Sequence, residues 1–367
     1  MEKKRSMFAF ILFFVISFSC GFALGETKPL RFAIPFPDLI FTQSLSREEQ
    51  NYLGLPPRKV FSFREITGNL ILVEFLSTYC INCQRQTPIF SEVYSSIERD
   101  SRLKGKVKMI GIAAGNNLNE VQIFKKAYNI PYPILSDPKF DAHNSAGGPR
   151  TPFSIWVRRD AQGNSVVVST HLGLIGSVKA ALDETRAVLQ YDLAFLKARK
   201  GAIYEGDALT PPIPEEELVL KARAGMEASG GKVIKIEKIS LKDGDLIYAG
   251  KVDFGTYQKN LFSKLASRRA ACDICHDTFF IYTFDPEGKV IDIVPVQLTK
   301  IDNLNWSEED IKKLKSRTIG KSILKPFAFN PSVDSVSGAT ITAALVFDSL
   351  NKAKVIFEKL KKEGYVK

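Results

Sequence analysis

Val73-Glu-Phe-Leu-Ser-Thr-Tyr-Cys-Ile-Asn-Cys-Gln-Arg-Gln-Thr-Pro88 decides how the first half of this chain is read. The apolar run 69–75 leading into it has the composition of a strand buried on both faces. Beyond the cysteines, Ile89, Phe90, Val93 and Ile97 recur on one face of a helix predicted over 83–97. A strand that delivers Cys80-Ile81-Asn82-Cys83 to a helix N-terminus is a reactive arrangement, because the helix dipole stabilises a thiolate on the first cysteine. Cys83, one turn on, stands close enough to resolve a mixed disulfide. Glu74 lies on the strand beneath the pair, where a buried carboxylate can manage the proton of Cys83. Pro88 kinks the helix. Thr151-Pro152 precedes another apolar strand at 153–157, and a cis proline there would present backbone groups beside the thiols for an extended substrate to pair with. Spacing alone also admits a structural disulfide or half a zinc site.

Outward from this segment the pattern is α/β. Strands are predicted at 107–113, 134–135, 153–157 and 166–169, and helices at 119–128 and 178–200, with Asp160-Ala-Gln-Gly163 as a hairpin turn. Residues 26–58 are rich in proline and read as a lead-in arm to a first domain at 59–200. Thr210-Pro-Pro-Ile-Pro214 and Ala228-Ser-Gly-Gly231 mark a linker at 201–231, and a smaller α+β domain follows at 232–367. Its predicted elements are strands at 233–239 and 246–251, a helix at 257–269, and a hairpin of 279–284 and 290–296 about Asp285-Pro-Glu-Gly288. Ser307 caps a helix to Leu314 with Asp310 as its capping-box partner and Trp306 as a hydrophobic staple. The last helix spans 339–362, with Val346, Leu350, Ala353, Phe357 and Leu360 as its core stripe. An apolar content of 45% in 367 residues lets each domain build its own core.

The segment 73–88, with the insert 119–137 and Thr151-Pro152, resembles the active-site region of the thioredoxin superfamily in its extracytoplasmic TlpA-like/redoxin branch. The likeness covers residues 58–190. It implies a mixed sheet flanked by helices and a thiol–disulfide oxidoreductase acting on a protein disulfide or redox partner. It makes Cys80 the nucleophile, Cys83 the resolving thiol, Pro152 the cis proline and Glu74 the buried acid. Tyr79 stands where Trp is usual. Ile81-Asn82 replaces the usual dipeptide, which tunes the potential. The peroxidase version of the fold requires Pro and Thr where Val73 and Ser77 stand, which argues against a peroxidase.

The second pair, Cys272-Asp273-Ile274-Cys275, is followed at once by His276. Three readings stand: a dithiol/disulfide, a haem c anchor with His276 as proximal ligand, and zinc, which lacks an obvious fourth ligand. Distal haem ligands would come from His143, His171, Met109 or Met226. His143, in the polar loop Asp141-Ala-His-Asn144, reads as a surface residue, and His171 as facing solvent. Further on, Asp334-Ser-Val-Ser-Gly-Ala-Thr340 reads as a capped helix start with Ser337 as N-cap, or as a phosphate site at a helix N-terminus. The heptapeptide resembles the flavinylation motif of FMN-binding domains in respiratory electron-transfer complexes, over residues 232–355. That resemblance implies FMN esterified to Thr340, with Asp334, Ser337, Gly338 and Ala339 in the site and a flavin transferase as partner. The family's Glu-Thr-Pro-Gly-like segment is absent; Leu298-Thr-Lys-Ile-Asp302 stands near its place.

The N-terminus reads as an export signal at 1–25: a basic start, an apolar core at 7–18 and a small-x-small site at Ala23-Leu24-Gly25. An uncleaved membrane anchor over 7–24 is the alternative, and Cys20 follows a poor lipidation motif. Export places the chain outside the cytoplasm, where disulfide chemistry is available. The net charge of +11 is scattered, without a basic stripe and interleaved aromatics, which argues against nucleic acid. The expectation is an exported thiol–disulfide oxidoreductase coupled to a flavin-binding-like domain. Its alternatives are an electron-transfer subunit carrying flavin or haem c, and a cytochrome-assembly or redox-sensing factor.

Overall fold

The computed structural model describes residues 34–160, 162–191, 209–242, 244–272, 275–301 and 303–366. The export signal, Cys20 and residues 192–208 of the expected helix and linker lie outside the described residues.

The chain enters through β1 (Ile40–Thr42), α1 (Arg47–Leu53) and β2 (Val60–Ser62), with β1 and β2 paired antiparallel. This corrects the lead-in arm. Phe36, Leu39, Phe41, Leu45, Leu53 and Leu55 are buried against Ile71, Val73 and Phe75, so from residue 34 the segment forms one layer of the first domain. Its apolar residues outweigh its prolines: each fully buried Phe or Leu contributes about 1.5–3 kcal/mol.

β3 (Leu70–Leu76) is buried at every position and forms the centre of the first sheet. After it come α2 (Ile81–Arg99), β4 (Val107–Ala114), α3 (Leu118–Ala127), β5 (Ile134–Asp137) and α4 (Asp141–Ser145). β6 (Phe153–Arg159), β7 (Ser165–Leu172) and α5 (Val178–Leu189) complete the domain. The strand order is β5-β4-β3-β6-β7, with β3, β4 and β5 parallel and β6 and β7 antiparallel to their neighbours. Leu70, Leu72 and Leu76 face α2 and α5; Ile71, Val73 and Phe75 face the N-terminal layer. The mixed, helix-flanked sheet agrees with the thioredoxin-like expectation.

The described part of the expected linker is largely a helix, α6 (Glu215–Glu227), begun after Pro214 with three glutamates in its first turn, where the helix dipole favours negative charge. It lies on a second sheet of β8 (Lys232–Ser240), β9 (Leu246–Asp253), β10 (Gln258–Arg268), β11 (Thr278–Phe284) and β12 (Val290–Gln297). That sheet is an antiparallel meander in sequence order. Gly225 lets α6 sit close, since a methyl there would meet Thr283 Oγ1 at 2.6 Å. The helix expected at 257–269 is β10. Leu261 and Leu265 face α6 while Phe262 and Ala266 face the opposite layer, and pairing on both edges overrides local propensity. α7 (Glu308–Thr318) carries the expected Ser307–Asp310 capping box. α8 (Pro331–Asp334) and α9 (Thr340–Lys362) follow, and α9 lays its expected stripe on the second face of the sheet.

The two domains meet in a cluster of Ala114 and Phe140 with Ala271, Ala344 and Leu345. Arg268 pairs with Asp348 and reaches Asn144 Oδ1 at 3.3 Å. His143 stands here, only 2% exposed, which overturns its reading as a surface residue. Asp137 accepts the backbone N–H groups of Ala142 and His143, fixing α4, and the His143 ring lies 2.7 Å from the Pro149 carbonyl. Burial holds the imidazole neutral, pulling its pKa down to about 4.

Candidate functional site

β3 ends at Leu76, and the turn that follows aims the chain at α2. Asn116, buried, accepts Ser77 Oγ and the Thr78 N–H at 3.2 and 3.0 Å and donates to Thr78 Oγ1 at 2.8 Å. The Tyr79 hydroxyl donates to Glu120. Cys80 is thereby placed as the N-cap of α2, its sulfur accepting the Cys83 N–H at 3.3 Å. A side chain at this position faces the unsatisfied N–H groups of the first turn, which favour a thiolate. Cys80 and Cys83 are both thiols, each 1% exposed. Pro88 lies inside α2, as expected.

Glu74 sits on the α2 side of β3, buried. Gln86 Nε2 donates to one of its oxygens at 2.8 Å and the Tyr132 hydroxyl to the other at 3.1 Å. Gln86 in turn accepts the Ile175 N–H at 2.8 Å, which locks its rotamer. Burial raises the Glu74 pKa to about 7, against the lowering effect of these two donors. Burial also raises the Cys83 thiol well above its ordinary value, and the neighbouring Cys80 and Glu74 add to the effect. A carboxyl that titrates near neutrality beside a thiol reluctant to ionise is suited to move that thiol's proton. Gln86, Tyr132 and Asn116 were not singled out from sequence. The position of Gln86 three residues after Cys83, on the apolar face of α2, is the signal that would have found it.

The Thr151–Pro152 peptide is cis. The Thr151 carbonyl accepts Cys80 Sγ at 3.5 Å. The backbone of Thr151 also forms a parallel bridge with Cys272 of the second domain, its N–H donating to the Ala271 carbonyl at 2.6 Å. Thr151 Oγ1 donates to the same carbonyl at 2.7 Å. Cys272 and Cys275 are joined in a disulfide with their Cα atoms 5.3 Å apart. Cys272 is buried in the apolar cluster that contains Cys80 and Cys83, and Cys275 packs against it. Arg150 clamps the segment, donating to the Cys275 carbonyl at 3.1 Å and pairing with Asp277 at 2.8 Å. Asp277 also accepts the Ala270 N–H at 2.8 Å. The structure therefore brings together two sites that sequence placed nearly two hundred residues apart. Arg150 and Asp277 were missed because a clamp between domains leaves no local pattern.

The heptapeptide at 334–340 is divided. Thr340 opens α9, but the N-cap is Ala339, a correction to the expected Ser337. Gly338, at φ 70°, turns the chain and delays the helix by two residues. Ser337 and Gly338 are exposed and Thr340 is half-buried. Ala339 is buried, and Asp334 is turned inward, accepting Arg317 Nε at 2.6 Å and the Asn330 N–H at 2.8 Å. An exposed turn that leads into a 23-residue helix with a hydroxyl at its first position fits a phosphate group. Ile341, the next residue, packs against the first-domain core in which Cys80, Cys83 and Cys272 are buried. A haem does not fit the second pair as arranged: both sulfurs are committed to one disulfide and Cys272 is covered. Of the distal candidates, His143 lies against Pro149, Met109 is buried in the first core and Met226, on α6, is buried against the second sheet. His276 and His171 are exposed.

Residues 53–166 match the family model described as "AhpC/TSA family". The thiol-disulfide oxidoreductase ResA of Bacillus cereus (strain ATCC 10987 / NRS 248) is 22% identical over 167 residues, covering 44% of this chain and 87% of its own length. ResA of Bacillus anthracis is 23% identical over 164 residues, with the same coverage. Among solved structures, StoA from Bacillus subtilis is 19% identical and covers 41% of this chain and 99% of its own, with a TM-score of 0.31. A thiol:disulfide interchange protein of the thioredoxin family from Chlorobium tepidum TLS is 22% identical and covers 43% and 97%, with a TM-score of 0.32. With β3, the Cys80–Cys83 turn and the cis Thr151–Pro152 peptide in place, residues 53–166 form a thioredoxin-like redoxin domain that matches the AhpC/TSA family model.

Proposed function

We propose that the chain is a thiol–disulfide oxidoreductase of the ResA/DsbE type that works outside the cytoplasm on a protein disulfide or redox partner. One observation carries this reading: Cys80 caps α2 while Cys83 lies buried above Glu74, a carboxyl whose pKa is raised to about 7. Thiolate Cys80 attacks a substrate sulfur and forms a mixed disulfide. Glu74 accepts the Cys83 proton, and Cys83 then attacks Cys80 Sγ, which releases the substrate thiol and leaves Cys80–Cys83 oxidised. The names of the ResA relatives support the activity. The signal-like N-terminus supports export, and among the described residues no helix is long and apolar enough to cross a membrane. The test is insulin reduction by dithiothreitol. The full chain should accelerate it, and Cys80→Ser should abolish the acceleration; equal rates would refute the reading.

A second element of the proposal is FMN on Thr340, with Ser337 and Gly338 lining the exposed turn beside it. The observation that favours it is Ile341, which packs this helix start against the apolar core that also contains Cys80, Cys83 and Cys272. Bound there, FMN would supply or accept electrons. Asp334, held inward by Arg317, would act on the shape of the turn rather than on the flavin. A flavin absorption band that survives denaturation in protein from the native host, and vanishes in Thr340→Ala, is the expected result. Its absence from the native-host protein would remove FMN from the account.

A further inference from the structure

We propose that the Cys272–Cys275 disulfide is the intramolecular redox partner of Cys80 and Cys83, so that the two domains exchange an electron pair within one chain. The proposal rests on the thiol–disulfide reading of Cys80 and Cys83. It goes beyond that reading by naming what the first domain docks.

Three independent contacts carry it. The backbone of Thr151, next to the cis proline, is the edge at which an extended partner would pair, and it is Ala271 and Cys272 that pair there. The Thr151 carbonyl that accepts Cys80 Sγ belongs to the same residue, so nucleophile and docked disulfide share one backbone unit. Arg150 holds the far side of the loop through the Cys275 carbonyl and Asp277 with charge-assisted bonds. Cys80 is 1% exposed in this arrangement, although a thiol that serves outside partners needs access. Cys272 is buried in the same apolar core as Cys80.

A purely structural staple explains the pair less well. The bridge joins residues with a sequence separation of 3. A ring that short removes little freedom from the unfolded chain. Nor does a staple need to lie in the cluster that contains the nucleophile.

The chemistry balances with the groups present. Thiolate Cys80 attacks Cys272 Sγ; the Cys80–Cys272 bond forms as Cys272–Cys275 breaks, and the Cys275 thiolate takes a proton from solvent. Cys83 passes its proton to Glu74 and attacks Cys80 Sγ, releasing Cys272 as a thiolate that is then protonated. Cys80 and Cys83 are oxidised, Cys272 and Cys275 reduced, and one electron pair has moved. The reverse direction uses the same contacts.

The test uses the full chain with its cysteines mapped by alkylation and mass spectrometry. In Cys83→Ser, quenched with N-ethylmaleimide, a Cys80–Cys272-linked peptide with alkylated Cys275 should appear in a yield independent of protein concentration. In Cys80→Ser, reduction of Cys272–Cys275 by limiting dithiothreitol should slow by roughly tenfold or more, because an intramolecular route at high effective concentration has been lost. No linked peptide, or one that forms only between molecules, together with an unchanged reduction rate, overturns the inference. If insulin turnover still depends on Cys80 in that case, the functional reading survives and this inference alone falls. If neither turnover nor linked peptide is seen, the functional reading falls with it. A linked peptide without insulin turnover supports the inference, with the disulfide partner confined to the chain itself.

Discussion

The two Cys-x-x-Cys pairs have the same spacing and opposite states. Cys80 and Cys83 are thiols at the start of a 19-residue helix, with a buried acid beneath them. Cys272 and Cys275 form a disulfide outside any regular element, between β10 and β11, and are held in place by the other domain. What differs is support. The first pair takes its reactivity from its own fold: a strand, a capped helix, a carboxyl. The second takes its position from Thr151 and Arg150, residues of its partner. A dithiol with internal machinery and a disulfide without it are the two halves of an exchange reaction.

The comparison can be broken at several points. The largest effect is expected from Cys80→Ser, which should lower insulin turnover by roughly a thousandfold or more, because nothing else supplies the nucleophile. Turnover that persists would equalise the two pairs. Glu74→Gln should slow the resolving step by about 10- to 100-fold, since Cys83 loses its proton acceptor; mixed disulfides should then accumulate under rapid quench.

The same substitution sharpens the contrast through pH. The carboxyl of Glu74 is raised from 4.5 to about 7 in the folded protein, so between these values the folded state holds a proton that the unfolded state has lost. Its contribution is therefore fully present below pH 4.5 and is lost as pH rises through 7. Glu74→Gln should remove that loss. Its stability advantage over wild type should grow across this window by up to roughly 3 kcal/mol, read from urea denaturation at each pH. An advantage that does not change with pH would show that Glu74 is not buried as described. Arg150→Ala should have the smallest effect on the first domain, about 1–3 kcal/mol confined to the interface. It should make Cys80 react faster with iodoacetamide while leaving the far-ultraviolet circular dichroism intact; an unchanged alkylation rate would mean that the clamp does not cover the thiol.

Much of the first domain was legible because its signals are local. The run 69–75 is apolar at five of its seven positions, Cys-x-x-Cys falls where a strand yields to a helix, and Thr151-Pro152 precedes a strand. What stayed hidden depended on distance. Residues 34–58 read as an arm because their prolines are conspicuous, while Phe36, Leu39 and Phe41 find their core only when the sheet arrives beneath them. Residues 257–269 carry apolar residues compatible with a helix, and only the edges of β9 and β11 make them a strand. His143 looked polar by its neighbours, yet it is buried where the domains meet. The second cysteine pair shows the same limit: its motif is plain, but its partner, Thr151, lies 121 residues earlier and is reached only through the fold.

The most direct measurement follows electrons rather than structure. Oxidise the full chain at both pairs, reduce it with one equivalent of a dithiol, quench at intervals, and map all four cysteines of the two pairs by differential alkylation. The account predicts that thiols appear first at Cys80 and Cys83 and then at Cys272 and Cys275, at a rate independent of protein concentration and roughly tenfold or more slower in Cys80→Ser. Reduction of Cys272–Cys275 at the same rate with and without Cys80 would contradict it.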